Sequence, residues 1–361
     1  MTRRSFLTST LAASAAAAAP PADPWPLGIN TYCLRFQRWN DRKLIDWCIE
    51  QKLDAIFLQD SLDPGVMDPT HWAELRQWTQ EAKLRVETGG GTILPKTADA
   101  YAANVATLRK NIERAKAVGS PIVRALLASD RRGMPPGPVE KHIETTVKVL
   151  REVRSQVMDA GIKIGIENHK ELQAWETRQV IEMAGKEFVG SYLDTGNPVF
   201  VFEDPATTIE HLAPLAVTFH LRDSVVYEHP EGIAVQWVPL GEGTSDFRKL
   251  VARARELMPA GVHIYCKPIT ARPPVVLPVT TTGKDAREWW DLFPRARASE
   301  LAQFIALAKR GRPYDKPMVV EDYPGRPEAY VEALKYQQLE HMTRSLDYCR
   351  KVLNLGVRWR G

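Results

Sequence analysis

Short apolar runs of strand length alternate with longer stretches of helical spacing eight times between residues 27 and 269. Few folds accommodate that pattern. The apolar runs fall at 27–34, 53–60, 84–91, 121–129, 162–169, 188–197, 216–223 and 262–269. Between them, segments such as 42–52 and 139–161 repeat apolar residues at the period of a helix. Eight strand–helix units predict an α/β protein built as a closed (β/α)8 TIM barrel. An open, doubly wound sheet is the competitor, but no GxGxxG follows the first run. The glycine-rich TGGGT at 88–92 lacks the lysine of a phosphate loop and is expected to form a flexible loop over the barrel mouth. Residues 276–361 hold two more helical patterns, at 287–311 and 326–356, expected to pack on the barrel as a C-terminal helical extension.

The chain has 361 residues, 44% of them hydrophobic and 25% charged, enough for one large core. Two domains would fit that length, but single α/β barrels of about 250 residues are routine. The net charge is only +4, and no basic tract with interleaved aromatics is present, so nucleic acid is not an expected partner. At the N-terminus, Arg3-Arg4 precede Ser5-Phe6-Leu7 and an alanine-rich run. This reads as a twin-arginine signal peptide over 1–22, which would deliver a folded protein to the periplasm or cell exterior. The run is too short and weakly apolar for a stable membrane span. The expected organisation is therefore a signal at 1–22, a barrel at 23–275 and the extension at 276–361. Four scattered cysteines, Cys33, Cys48, Cys266 and Cys349, make neither a disulfide framework nor a CxxC metal site, though one bridge such as Cys33–Cys48 stays open.

Reactive groups of an α/β barrel sit at the C-terminal ends of its strands. Here those ends are polar. The fifth run ends at Glu167-Asn168-His169, the sixth at Asp194-Thr195-Gly196-Asn197 and the seventh at His220-Leu221-Arg222-Asp223. Glu167, Asp194 and His220 are 27 and 26 residues apart, about one strand–helix unit each, which predicts matching depth on adjacent strands. Any one of them alone is simply explained as a loop cap or ion-pair member. All three in consecutive units suggest a site for one divalent metal: Mn, Mg, Co or Zn.

The stretches IENH, LDTGN and FHLRD, with VPLGEGTSDF at 238–247, resemble motifs of the xylose-isomerase-like barrel superfamily. That group spans sugar isomerases and epimerases, inosose dehydratases and class II apurinic endonucleases. The resemblance covers about residues 27 to 270. It implies a metal held by Glu, Asp, His and Glu, of which Glu167, Asp194 and His220 supply three. It also implies a metal-polarised carbonyl with a carboxylate moving a proton beside it. His169, Asn197 and Arg222 would face the same mouth and bind substrate oxygens. Related barrels often pair, so a homo-oligomer is an open expectation. A nuclease on this fold would need more metal ligands, and the remaining histidines are not at strand ends.

The pattern breaks at Lys267, which stands where the family's second glutamate belongs. Three readings follow. Glu321 or water replaces the missing ligand; or the Lys267 ammonium sits in the metal's place between Glu167 and Asp194; or Lys267 is itself a catalytic base or Schiff-base amine. The third requires a depressed lysine pKa, which two flanking carboxylates oppose. Two functions therefore compete. One is a metal-dependent isomerase, epimerase or lyase, with Glu167 and Lys267 as catalytic candidates, acting on a sugar, keto sugar or polyol. The other is a non-catalytic or metal-free sugar-binding barrel.

Overall fold

The computed structural model describes residues 24–59, 68–321 and 325–361. The signal peptide expected at 1–22 lies outside the described residues. Seven strands come first: β1 (Leu27–Asn30), β2 (Ala55–Gln59), β3 (Arg85–Thr92), β4 (Ile122–Leu126), β5 (Lys163–Glu167), β6 (Val189–Asp194) and β7 (Ala216–Leu221). A hairpin of β8 (Asp223–His229) and β9 (Gly232–Val238) follows, then β10 (Ile264–Cys266) and β11 (Val275–Leu277). Strands β1 to β7 and β10 form a closed parallel barrel, one strand in each of the eight runs read from the sequence. The last strand, β10, is only three residues long, yet it closes the cylinder. It pairs Ile264, Tyr265 and Cys266 with Leu27, Gly28 and Ile29 on one side and with Phe219, His220 and Leu221 on the other.

Four helices on the outer face start where a polar side chain takes up a free backbone N–H. Asn40, Asp68, Asp204 and Asp246 cap the helices Asp41–Glu50, Pro69–Glu81, Pro205–Leu212 and Phe247–Leu257 in this way. Their apolar faces and the outward residues of the strands make the main core. The lumen is filled separately. Phe57, Tyr192 and Tyr265, all fully buried, meet inside the cylinder and floor its mouth.

One expectation is overturned. Residues 88–92 are not a loop over the mouth; they belong to β3. Gly89 serves close packing between neighbouring strands. Gly89 has φ +141°, and a Cβ placed there would lie 2.1 Å from the backbone nitrogen of Arg124 on β4. The register of the β3–β4 pair shifts beyond this point.

Between β7 and β10 the chain adds a feature the sequence reading did not contain. Strands β8 and β9 form an antiparallel hairpin, extended by β11 into a three-stranded sheet. Val226, Ile233, Val235 and Leu277 on this sheet pack with Phe202, Phe293 and Phe304 into a second small core. The helices Lys284–Leu292 and Ala298–Ala308 complete it.

The long helix Glu328–Lys351 does not simply cover the outside of the barrel; it braces loops at the mouth. Gln338 accepts the Phe36 N–H at 3.0 Å, His341 meets the Thr270 hydroxyl at 2.7 Å, and Ser345 accepts the Leu240 N–H at 3.0 Å. These contacts tie together the loops that follow β1, β9 and β10.

Gly89→Ala should destabilise the protein by about 2 kcal/mol or more, because the new methyl must displace the backbone of β4. Urea unfolding of the variant beside wild type measures this. An unchanged midpoint would mean that β3 and β4 are not so closely apposed.

Candidate functional site

The polar ends of β5, β6, β7 and β10 converge above the aromatic floor. Lys267 follows β10 directly, and its ammonium reaches the centre of the lumen. It lies 3.0 Å from Glu167 Oε1, 3.0 Å from Asp194 Oδ2 and 3.2 Å from the Tyr192 hydroxyl. An ammonium has three N–H groups, and these three partners use them.

The carboxylates are equally engaged. Glu167 Oε1 also accepts from the Asn197 amide at 3.1 Å, while Oε2 takes both Nε and Nη2 of Arg124. Asp194 Oδ1 accepts the Gly196 N–H at 2.8 Å and Arg222 Nε at 3.2 Å. Its Oδ2 takes Arg222 Nη2 at 2.6 Å as well as Lys267. Each carboxylate therefore receives four donors, the number its lone pairs can serve. Burial alone would raise the Glu167 carboxyl, but Arg124 and Lys267 together hold it well below the ordinary carboxylate range. Burial likewise opposes ionisation of Asp194, and Arg222 and Lys267 outweigh it.

Second contacts fix this arrangement. Asn197 Oδ1 accepts from Arg222 at 2.9 Å, and Asn168 exchanges hydrogen bonds with the Asp194 backbone at 2.8 and 2.9 Å. Trp237 on β9 lies over the Arg222 guanidinium at 4.3 Å and donates its indole N–H to the Gly196 carbonyl at 2.7 Å. Asp223, beside Arg222 in sequence, serves the loop that follows β9. It accepts backbone N–H groups of Ser224, Gly241 and Gly243. Gly243 is required there, since a Cβ would lie 2.0 Å from the carboxylate. Burial raises this carboxyl to about 7.

Of the residues singled out from the sequence, Glu167, Asp194, Asn197, Arg222 and Lys267 meet in one network. His220 and Glu321 do not join it. The His220 ring is stacked between Tyr192 and Tyr265, at centroid distances of 3.9 and 4.7 Å, and its Nε2 contacts the Thr218 hydroxyl at 3.2 Å. Burial, with Lys267 nearby, keeps its pKa well below the usual histidine value, so the ring is neutral. Glu321 is bound by Arg35, at 2.8 Å, and by Arg272. In place of a ligand role, it anchors the chain after β10 to the loop after β1. His169 stands on the rim, its Nδ1 2.7 Å from the Ser129 carbonyl. A carbonyl only accepts, so Nδ1 carries the proton; burial depresses the ring pKa to about 3, leaving Nε2 as an acceptor.

Above the network lies a cavity of about 440 Å³, walled by Tyr32, Gln59, His169, Phe200 and Trp237 and floored in part by Lys267. The sequence reading missed Arg124, Lys170, Tyr192 and Trp237. Arg124 had a usable signal, as a charged residue inside the buried run IVRAL. Trp237 had none without the hairpin that carries it.

Residues 46–291 match the model of the xylose isomerase-like TIM barrel family, and the chain belongs to that family. A curated relative, the uncharacterized protein YihM of Escherichia coli K12, is 24% identical over 99 residues, which is 27% of this chain and 30% of that protein. Among solved structures, a D-psicose 3-epimerase crystallised in the presence of D-fructose superposes with a TM-score of 0.57 at 16% identity, covering 91% of this chain and 99% of the other. The IolI protein, solved with a zinc atom, superposes with a TM-score of 0.55 at 14% identity over 77% of this chain and 99% of that one.

The metal suggested by such neighbours does not fit the donors present. Among the described residues no group of three or more His, Cys, Asp or Glu is arranged to hold an ion. Glu167 and Asp194 have no lone pair left to offer, and an ammonium already stands between them.

Two outcomes test this site. Lys267→Met should cost roughly 3 kcal/mol or more, because it leaves two buried carboxylates with a donor missing from each; a variant as stable as wild type in urea would contradict the network. Glu171 gives a pH test. Burial raises its carboxyl to about 8, above the unfolded value, so its contribution is full at acid pH and is lost as pH rises through about 8. Glu171→Gln should therefore gain stability relative to wild type between pH 5.5 and 8.5, read as the difference in unfolding midpoints at the two pH values.

Proposed function

We propose that this protein is a metal-independent carbohydrate-binding barrel, in which the Lys267 ammonium replaces a divalent cation and the mouth cavity receives a small sugar or polyol. The observation that carries this reading is the saturation of Glu167 and Asp194, each by four donors. A carboxylate so engaged, with its pKa pressed down, is a poor proton acceptor and a poor ligand. Lys267, with its own protons committed, is a structural cation and not a base.

The ligand class is supported by the family and by the lining. The cavity volume of about 440 Å³ lies in the range of small-molecule sites. Phe200 and Trp237, 4.8 Å apart, offer apolar faces, and Gln59, Tyr32 and His169 offer polar groups on the same walls. That mixture suits a molecule with apolar C–H faces and many hydroxyls. The His169 Nε2 acceptor would take a ligand hydroxyl. Read as a twin-arginine signal, the Arg3-Arg4 stretch would place this action outside the cytoplasm.

The second reading is an isomerase, epimerase or lyase moving a proton beside a carbonyl. It is favoured by the fold shared with the D-psicose 3-epimerase. It would require the Lys267 network to open so that Glu167 becomes free.

The test combines elemental mass spectrometry with titration calorimetry. Protein purified with Mn, Mg, Co and Zn present, then dialysed, should retain no stoichiometric metal. D-fructose or D-glucitol should bind with the same affinity with and without EDTA. About one ion per chain, with EDTA-sensitive turnover of a keto sugar, would replace this reading by the enzymatic one.

A further inference from the structure

A second cavity lies beside the first. Its volume is about 330 Å³, and its walls include Phe200, Leu277, Trp289, Leu292 and Phe293. Lys170, Phe200 and Val275 line both cavities, so the two meet along one edge. Val275 stands on that edge and is 43% exposed, an apolar side chain left uncovered between them. The barrel strands contribute nothing to this compartment. Leu277 belongs to β11, and Trp289 and Leu292 to the helix Lys284–Leu292, with Phe293 just beyond its end. The inserted sheet and the C-terminal extension build it against the loops that follow β4, β5 and β6.

Arg131, in the loop after β4, holds the walls in place. Its guanidinium donates to the Leu292 carbonyl at 2.9 Å and to the Glu171 carbonyl at 2.7 Å. It also donates to both carboxylate oxygens of Glu176, at 3.0 and 2.9 Å, and lies 4.7 Å from the Phe293 ring. The end of the helix is thereby pinned to the barrel, and the compartment stands open in advance of a ligand. One wall has an unmet demand. Trp289 is 7% exposed, and its buried indole N–H meets no acceptor among the described residues. A buried donor without a partner is costly, and an acceptor brought by a ligand removes that cost. A dry apolar cavity of about 150 Å³ takes up a benzene, so this space has room for an aromatic ring and its substituents.

We propose that the ligand of this protein is a sugar linked to an aromatic group that bears an oxygen acceptor. The sugar occupies the mouth cavity, the aromatic group fills the side compartment, and its oxygen takes the Trp289 N–H. The inference rests on the reading of the mouth cavity as a sugar site and adds what the sugar is attached to. A free monosaccharide has no group for the second space, whereas burying a ring there removes enough apolar surface from water to change affinity tenfold or more.

Titration calorimetry on the full chain tests this. The probes are methyl, phenyl and the three methoxyphenyl β-D-glucopyranosides, the matching β-D-galactopyranosides, D-fructose and D-glucitol. In at least one series the phenyl glycoside should bind about tenfold or more tightly than the methyl glycoside. At least one methoxyphenyl isomer should bind more tightly still. Leu292 is half-buried and lines only the side compartment of the two. Leu292→Trp should fill that space and bring the phenyl glycoside down to the methyl level, with binding of the methyl glycoside and D-fructose unchanged. Trp289→Phe keeps a ring in the wall and removes the donor. It should erase the methoxyphenyl margin and leave the phenyl preference. Equal binding of methyl and aryl glycosides, no binding of any glycoside while D-fructose or D-glucitol binds, or an aryl preference that survives Leu292→Trp would overturn this inference and leave the proposed function standing. No binding of any probe would overturn both.

Discussion

The interaction on which this mouth depends is a buried ammonium shared by two carboxylates. Taking ions out of water costs several kcal/mol apiece, and a lone pair of charges rarely recovers that. Here the cost is spread over a network. Arg124, Arg222, Asn197 and the Gly196 N–H each meet Glu167 or Asp194, so no acceptor is left without a donor. The result is a rigid polar layer lying on an aromatic one, with Tyr192 belonging to both. Its hydroxyl touches Lys267, and its ring stacks on His220. A lysine at this strand end thus decides more than a single contact. It sets what the surrounding carboxylates meet: one ammonium and two guanidinium groups.

Much of this was legible in the sequence, because the determining signals are local. Eight apolar runs at regular spacing placed eight strands, and the spacing of Glu167, Asp194 and His220, with Lys267 ending the eighth run, placed four polar groups at one end of the barrel. What spacing cannot convey is the direction in which a side chain leans. His220 shares its strand end with the network residues, yet its ring packs downward into the lumen, where Tyr192 and Tyr265 receive it. Glu321 lies outside any strand, and its place is decided by Arg35 and Arg272, far away in sequence. The glycines at 89–91 read as flexibility when seen alone; only the neighbouring strand shows that Gly89 marks a close contact.

The hairpin of β8 and β9 was missed for a similar reason. The stretch SVVYEHPEGIAVQWV has two runs of β-forming residues around a Pro-Glu-Gly turn, which is a usable hairpin signal. It falls inside a unit already explained as strand, loop and helix, so the regular repeat concealed the insertion. The cost of missing it was the upper wall of the site. Trp237, the residue that lies over Arg222 and beside Phe200, is carried on this hairpin. The barrel thus supplies the charges, and the inserted sheet gives them an apolar cover.

The three-residue strand β10 has a consequence for fidelity of assembly. Few ladder hydrogen bonds hold so short a strand, and bonds of that kind do not distinguish one alignment from the next. Side chains alternate along a strand, so a slip by one position would turn Lys267 outward and bring Cys266 or Pro268 toward the lumen. Such a misaligned barrel would enclose two carboxylates with no ammonium between them. The penalty therefore falls on the wrong alignment itself, and the lysine acts as a proofreader for the seam at which the cylinder is sealed.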